Sequence, residues 1–469
     1  MQNRIKIVTI GGGSSYTPEL IEGLILRKDL LPIAELWLVD IADGAEKMEI
    51  VGNMAKRMIA AAGLDWQVHL TLDRQQALKD ADYVTTQFRV GLLDARLKDE
   101  AIPLANGLLG QETNGAGGIF KALRTIPVIL EIIEDMRRLC PDAWLVDFTN
   151  PAGMVTEAAI KYGKWEKTVG LCNVPFGHIT QACKVLEAEE ADLDFKFAGL
   201  NHFHWHRVWD KAGNERTAEL IEKIYAPEQR EKSDEGLKNI HQIPFYYEQV
   251  KHLGILPCGY HRYYYLQEPM LAHAIEEFEH YETRAEVVKK TERRLFELYK
   301  DVNLDYKPEE LSQRGGAHYS DAACDLIAAI QNNTGKQMVV STRNNGAIAD
   351  LPFDCIVEVT AAITAHGAEP LRWGRLPPSA RGMIQLMKAM EETTIEAAVS
   401  GDYGAALHAF ILNPLIPAGE TAIKVLDALL YAHKEYLPKF ADKIAEIERE
   451  KPEIVTFVNE LLADRKAHA

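Results

Sequence analysis

Residues 5–18 read IKIVTIGGGSSYTP. An apolar run of strand length enters a turn of three glycines and two serines, and Pro18 suits the first turn of a helix. A strand that opens a helix through glycines has the form of a dinucleotide-binding loop. The missing side chains let backbone N–H groups approach a diphosphate at the positive end of the helix. Gly11 and Gly13 fill the first two glycine positions of the G-x-G-x-x-G pattern, and Tyr16 stands at the third. Gly11, Gly13, Ser14 and Ser15 are therefore candidate cofactor contacts. Asp40 closes the next strand-like run, 27 residues beyond Gly13, further than the usual separation of about 20. It is either the acid that accepts ribose hydroxyls, favouring NAD over NADP, or a solvated strand end.

The alternation continues outward from this turn. Strand-like runs at 4–10, 35–40, 67–71, 82–88, 143–148 and 167–171 are interleaved with helix-period segments that include 18–28, 118–138, 151–162 and 177–188. This order predicts an α/β fold whose N-terminal part is a Rossmann-type, doubly wound parallel sheet. The rhythm changes after residue 195. Strand-like pieces at 195–201 and 204–210 lead to helix and loop, then to an αβ portion at 322–332, 338–342 and 353–360, and the chain ends in a helical tail from about 378 to 465. The expected division is residues 1–190 as a nucleotide-binding domain and 191–469 as an α+β domain, with the cleft between them. The charged stretch 226–240 (APEQREKSDEGLKNI) is expected to be a mobile surface loop.

The 469 residues are 47% apolar and 26% charged, ordinary for a soluble globular protein. No apolar run approaches the roughly 20 residues needed to cross a bilayer, and the N-terminus does not read as a secretory signal. The expectation is a cytoplasmic protein with no membrane partner. A formal net charge of −17 argues against nucleic-acid binding, which needs clustered Lys and Arg. It leaves room for an anionic small molecule met by local arginines. The six cysteines contain no C-x-x-C pair and read as free thiols.

Two short stretches carry further chemistry: LCNVPFG at 171–177 and GLNH at 199–202. Both Cys172 and His202 stand at the C-terminal ends of expected strands, where open α/β sheets bind ligands. A thiolate and an imidazole could hold a divalent ion with open positions for substrate oxygens; the alternative is a structural Cys and His. His204 and His206 are alternative ligands, since strand alternation puts 202, 204 and 206 on one face. Asn150 in DFTNP could bridge cofactor and substrate, or cap the next helix. The loop LGQETNGAGG (109–118) is too glycine-rich for helix, and its Glu112 and Asn114 could reach a cleft. In LPCGYHRYYY (256–265) most of the tyrosines read as core. Arg96 and Arg284 are either anion contacts or surface ion pairs.

Taken together, GGGSSYTPEL, ARLKDEAIPL, GLLGQETNGAGGIFKALRTIP, DFTNPAG, GLCNVPFG, GLNHFHW, YHRYYY, RGGAHYS and NNGAIADLPFD resemble the motifs of the NAD- and metal-dependent glycosidases of glycoside hydrolase family 4, in that family's order. The resemblance covers most of the chain. It implies a C-terminal α+β domain like the substrate domain of lactate and malate dehydrogenases. It also implies Mn²⁺, or another divalent ion, on Cys172 and His202. Tyr260 matches the family's base, and Glu112 the acid that raises that base's strength. Arg96, Asn150, Asn173 and Arg284 match substrate contacts, with the arginines nearest a 6-phosphate. Family members reading Cys-Asn-Val-Pro act on 6-phospho-β-glucosides, so Asn173 implies that subgroup and takes the place of a side-chain acid there. His261 stands where the family more often has Leu.

The resemblance implies an unusual route for a glycosidase. The sugar is oxidised at C3 by NAD⁺, loses its C2 proton to Tyr260, expels the aglycone, adds water and is reduced again, so that NAD is retained. The expected partner is a phosphorylated disaccharide or aryl glucoside, and the expected assembly a homodimer or homotetramer. A 2-hydroxy-acid dehydrogenase shares the fold and is the competing enzyme reading. It would produce NADH and leave Cys172 without a role.

Overall fold

The computed structural model describes residues 4–228, 240–314 and 319–468. Most of the stretch expected to be a mobile loop lies outside them.

The first six strands are β1 (Ile5–Ile10), β2 (Ile33–Val39), β3 (Gln67–Thr71), β4 (Tyr83–Thr86), β5 (Trp144–Asp147) and β6 (Thr168–Gly170). They lie in the order β3-β2-β1-β4-β5-β6, and all five neighbouring pairs are parallel. This is the doubly wound arrangement expected from the alternating sequence. β1 is buried at every position but Lys6 because both its faces are covered. Ile5 and Ile7 enter one core, with helices Thr17–Leu26 and Tyr319–Asn332. Val8 and Ile10 enter the other, with the long helix Gly115–Leu139.

The sheet does not end at β6. Strands β7 (Leu193–Leu200), β8 (Phe203–Asp210), β9 (Leu256–Pro257), β10 (Lys336–Arg343), β11 (Ile356–Thr364) and β12 (Gly367–Pro370) continue it in antiparallel sense. The join is β10 against β6, at Ser341 and Gly170. Along the path the order is then β10-β11-β7-β8-β9. The sheet is therefore continuous across residue 190, and what changes there is the pairing sense. The helical tail begins with Pro378–Ser400, which packs on Gly115–Leu139. Among the described residues no helix is long and apolar enough to cross a membrane.

Two local features place the site. In the glycine turn, the Gly11 and Gly12 N–H groups both donate to the Val39 carbonyl (2.9 and 2.8 Å). Gly11 has φ +87°, and a Cβ there would lie 2.9 Å from the Gln87 backbone, so the turn admits no side chain. The second feature corrects the expectation that 109–118 is all loop: the helix already begins at Gly115. Gly117 sits within its first turn because a Cβ there would meet the Gln111 carbonyl at 2.3 Å and the Asp99 carbonyl at 2.8 Å. Gly117 serves close packing of this helix on Leu92–Leu104, while Gly115 supplies the left-handed backbone (φ +62°) at its start.

Candidate active site

A cavity of about 710 Å³ opens along the C-terminal ends of the parallel strands. Gly11, Gly13, Ser14, Ser15 and Asp40 line one end, Asn150, Asn173, His202 and Tyr260 the other, with Arg96 and Glu112 on the wall between. Residues more than 200 positions apart in sequence thus meet in one space.

At the nucleotide end the acid of β2 has a structural task. Asp40 accepts the Gly13 N–H through Oδ2 (2.7 Å) and the Ile41 N–H through Oδ1 (2.8 Å). It fixes the glycine turn while still facing the cavity. Helix Thr17–Leu26 follows with Pro18 in its first turn, and Thr17 Oγ1 donates to the Gly12 carbonyl (2.8 Å). A glycine turn held open at a helix N-terminus suits a dinucleotide diphosphate.

At the other end, Cys172 follows β6 by two residues and His202 sits in the two-residue turn joining β7 to β8. His202 has φ +61°, a conformation uncommon outside glycine and typical of functional turns. Cys172 Sγ lies 3.3 Å from His202 Nε2. The tautomer follows from the hydrogen bonds. Thr113 Oγ1 donates to Gln111 Oε1 (2.9 Å), so it accepts from His202 Nδ1 (3.0 Å). The Nε2 lone pair is left facing the sulfur, the form in which imidazole binds a metal. Burial drives the His202 pKa down to about 4, which keeps that lone pair available. Two donors this close, one aimed by a hydrogen-bonded neighbour, fit a divalent ion.

The Tyr260 ring stacks on His202, with centroids 4.1 Å apart. Burial, followed by the negative potential of Cys172 and Glu112, pushes its phenol well above the usual 10. Burial likewise pushes the Cys172 thiol up. Both groups hold their protons unless a positive charge stands beside them, which a divalent ion held by Sγ and Nε2 would supply.

Glu112 is enclosed by cations. Arg89 lies 2.6 Å from Oε2, Lys121 2.9 Å from Oε2, and Arg96 3.2 Å from Oε1. Burial would raise the Glu112 carboxyl, but these three charges outweigh it and hold it well below the carboxylate range. One carboxylate cannot balance three cations. Burial and the repulsion of Arg89 bring Lys121 down to about 7 despite Glu112. Arg96 also pairs with Glu100 (2.7 Å). The wall is thus locally basic in an acidic protein.

The family 4 glycosyl hydrolase model matches residues 6–188, and the model of that family's C-terminal domain matches 197–416. The chain belongs to glycosyl hydrolase family 4. It is 54% identical over 444 residues to the probable 6-phospho-β-glucosidase of Bacillus subtilis, covering 95% of this chain and 100% of the relative. It is 45% identical over 451 residues to the 6-phospho-β-glucosidase of Escherichia coli K12, covering 96% and 100%. The 6-phospho-β-glucosidase of Thermotoga maritima, solved with manganese, NAD⁺ and glucose-6-phosphate, superposes with a TM-score of 0.82 at 34% identity, covering 92% of this chain and 99% of that one.

In this family 4 chain most of the expected site residues meet at the cavity. Cys172 stands behind its wall, joined to it through His202. Arg284 is not among the lining residues. It occupies the first position of helix Arg284–Tyr299, and its Nη2 donates to the Arg314 carbonyl (2.8 Å). Arg314 lines the cavity instead and binds Ser15 Oγ and Tyr16 OH (both 3.1 Å). Asn114 accepts from Tyr264 OH (2.9 Å) and faces a separate small cavity. His204 and His206 lie on β8, buried away from the cavity lining. Sequence reasoning passed over Arg89, Thr113, Lys121 and Arg314. Arg89 follows the expected strand 82–88 at the ligand-binding end, and Thr113, Lys121 and Arg314 lie within the quoted motifs GLLGQETNGAGGIFKALRTIP and RGGAHYS. None of the six cysteines forms a disulfide.

Proposed function

We propose that this chain hydrolyses 6-phospho-β-glucosides to glucose-6-phosphate and an aglycone, with NAD and a manganese-class divalent ion as retained cofactors. The observation that carries this reading is the single cavity joining a dinucleotide turn to the Cys172–His202–Tyr260 group. A hydride acceptor, a cation site and a basic phenol in one space make little sense for direct two-carboxylate hydrolysis. They suit oxidation of a ring carbon followed by removal of the neighbouring proton. The curated relatives' names and the asparagine at 173 support the β-linked, 6-phosphorylated substrate.

The proposed roles follow from position. Residues 1–190 hold the nucleotide, through Gly11, Gly13, Ser14, Ser15 and Asp40, with Asn150 between cofactor and sugar. Residues 191–469 complete the substrate side. Cys172 and His202 hold the ion, which withdraws electron density from the sugar C2 and C3 oxygens when bound. Tyr260 takes the C2 proton. Asn173 and Asn150 orient the sugar hydroxyls. Glu112 keeps Arg89, Arg96 and Lys121 in place. Arg89 has a buried Nη1 with no hydrogen-bond partner among the described residues, which supports it as an anion contact beside Arg96. Arg284 is retained as an anion contact of longer range, its charge lying behind Arg96. The same reading places the enzyme in the cytoplasm as a homodimer or homotetramer.

The test is p-nitrophenol release from p-nitrophenyl β-glucoside and its 6-phosphate in D₂O, omitting NAD⁺ and Mn²⁺ in turn. We expect release only from the phosphorylated substrate with both cofactors present, and deuterium at C2 of the product. Release without NAD⁺, or product free of deuterium, would overturn the mechanism. Net NADH accumulation would point to the 2-hydroxy-acid dehydrogenase reading instead.

A further inference from the structure

Behind the cavity lies a second group of metal-type donors. One nitrogen of His178, one of His204 and the Cys258 sulfur all lie within 4.8 Å of one another. His204 and Cys258 are fully buried. The three come from separate segments. His178 is on helix Val174–Leu186, His204 on β8, and Cys258 directly follows β9, its N–H donating to the His204 carbonyl (3.0 Å).

The histidines are presented as ligands. His204 Nδ1 lies 2.5 Å from Glu358 Oε2, and Glu358 Oε1 accepts from Asn201 Nδ2 (3.0 Å). A carboxylate on Nδ1 turns Nε2 forward, the arrangement that orients and strengthens metal-binding histidines. Nε2 of His204 faces the Cys258 sulfur, and Nε2 of His178 is buried without a hydrogen-bond partner among the described residues. Buried imidazole nitrogens are rarely left so. Neighbouring His206 has its Nδ1 in the same condition. Its ring centroid lies 5.0 Å from that of His178.

We propose that Cys258, His178 and His204 form a structural zinc site, distinct from the Cys172–His202 site. A thiolate and two imidazoles are zinc's preferred donors, at about 2.0–2.3 Å. From a triangle no wider than 4.8 Å, the donors need to move inward by at most about 0.5–0.8 Å to reach those lengths around a central ion. The Cys258 thiolate and the Glu358 carboxylate together balance the ion's two charges. The fourth position falls to water or to His206. The site would tie together the three segments that carry the cavity chemistry, because His178 is six residues past Cys172, His204 two past His202, and Cys258 two before Tyr260. The competing arrangement puts a proton instead of a metal on His204 Nε2.

The test uses the full chain carrying Cys172→Ser and His202→Ala, which removes both donors of the cavity site; circular dichroism checks its fold, and Cys172→Ser alone serves if the double variant misfolds. The protein is loaded with Zn²⁺, dialysed, and its zinc measured by mass spectrometry alongside its unfolding temperature. One zinc per chain and a raised unfolding temperature are expected. In the same background Cys258→Ser or His178→Ala should bring the zinc close to none. With Co²⁺ as probe, a thiolate charge-transfer band should appear and then vanish with Cys258→Ser. No zinc in the protein with the cluster intact overturns the proposal, and so does zinc undiminished by both cluster substitutions.

Discussion

The Tyr260 ring lies flat on the His202 imidazole, with planes 6° from parallel and centroids 4.1 Å apart. The contact sets the phenol at the edge of the cation site, and a phenylalanine would preserve it. Tyr260→Phe therefore isolates the hydroxyl. Loss of a positioned base costs on the order of 10²–10⁴ in rate, so we expect kcat to fall by about 10³ or more with NAD⁺ affinity unchanged by calorimetry. Turnover within tenfold of wild type would remove Tyr260 from the role of base.

Glu112→Gln takes the carboxylate away from Arg89 and Lys121 and leaves Arg96 with Glu100 alone. Removing one partner of a buried ion group costs roughly 3–5 kcal/mol. The urea midpoint should fall accordingly, and activity with it. An unchanged midpoint would mean that the three cations find other partners.

Cys172→Ser keeps a donor of similar size but replaces a soft, chargeable sulfur with a hydroxyl. We expect activity to drop sharply and excess Mn²⁺ to restore only part of it. Wild-type enzyme stripped by chelation should lose activity and recover it fully on adding Mn²⁺. Full activity after verified metal removal would refute the cation's role.

Asp147 gives a pH signature. Burial pushes its carboxyl from 3.8 up to about 7, although Thr86 Oγ1, the Thr149 N–H and Thr156 Oγ1 all donate to it. Between those values the folded chain holds a proton that the unfolded chain has lost. The contribution to stability is thus fully present below about pH 4 and disappears as pH rises through about 7, a swing of about 4 kcal/mol. Asp147→Asn lacks this titration. The unfolding temperature of the variant relative to wild type should rise from pH 5 to about pH 7 and level off above it, and a flat difference across that range would show Asp147 ionised throughout.

The parallel half of the fold was legible because its signals are local. β1 into Gly11, β2 into Asp40 and β5 into Asn150 each show apolar strand residues followed by turn chemistry. β3 was read at its observed bounds, 67–71. Helix Leu92–Leu104 was not read, because its buried face includes Arg96, Asp99 and Glu100. Charges paired by tertiary contact erase the apolar period on which such a reading depends. The same cause hid Lys121, which lies inside a helix and whose function comes from its contact with Glu112. Thr113 acts on His202 across 89 residues of sequence, a distance at which spacing carries no information. Arg284 lies in none of the quoted motifs and is assigned by resemblance across the variable 226–250 region; its Nη2 donates to the Arg314 carbonyl. A resemblance can locate a residue on the chain without fixing its rotamer.

The pairing of Gly170 with Ser341 has a practical consequence for dissecting this enzyme. A fragment ending at residue 190 would lose the strand that covers its outer edge. It would also lose helix Tyr319–Asn332, which shields the aliphatic side chains around Ile7 and Ile21. Bare edges and greasy faces invite self-association. Such a truncation should come out of cells as aggregate, and co-expression with the remaining piece should return it to solution.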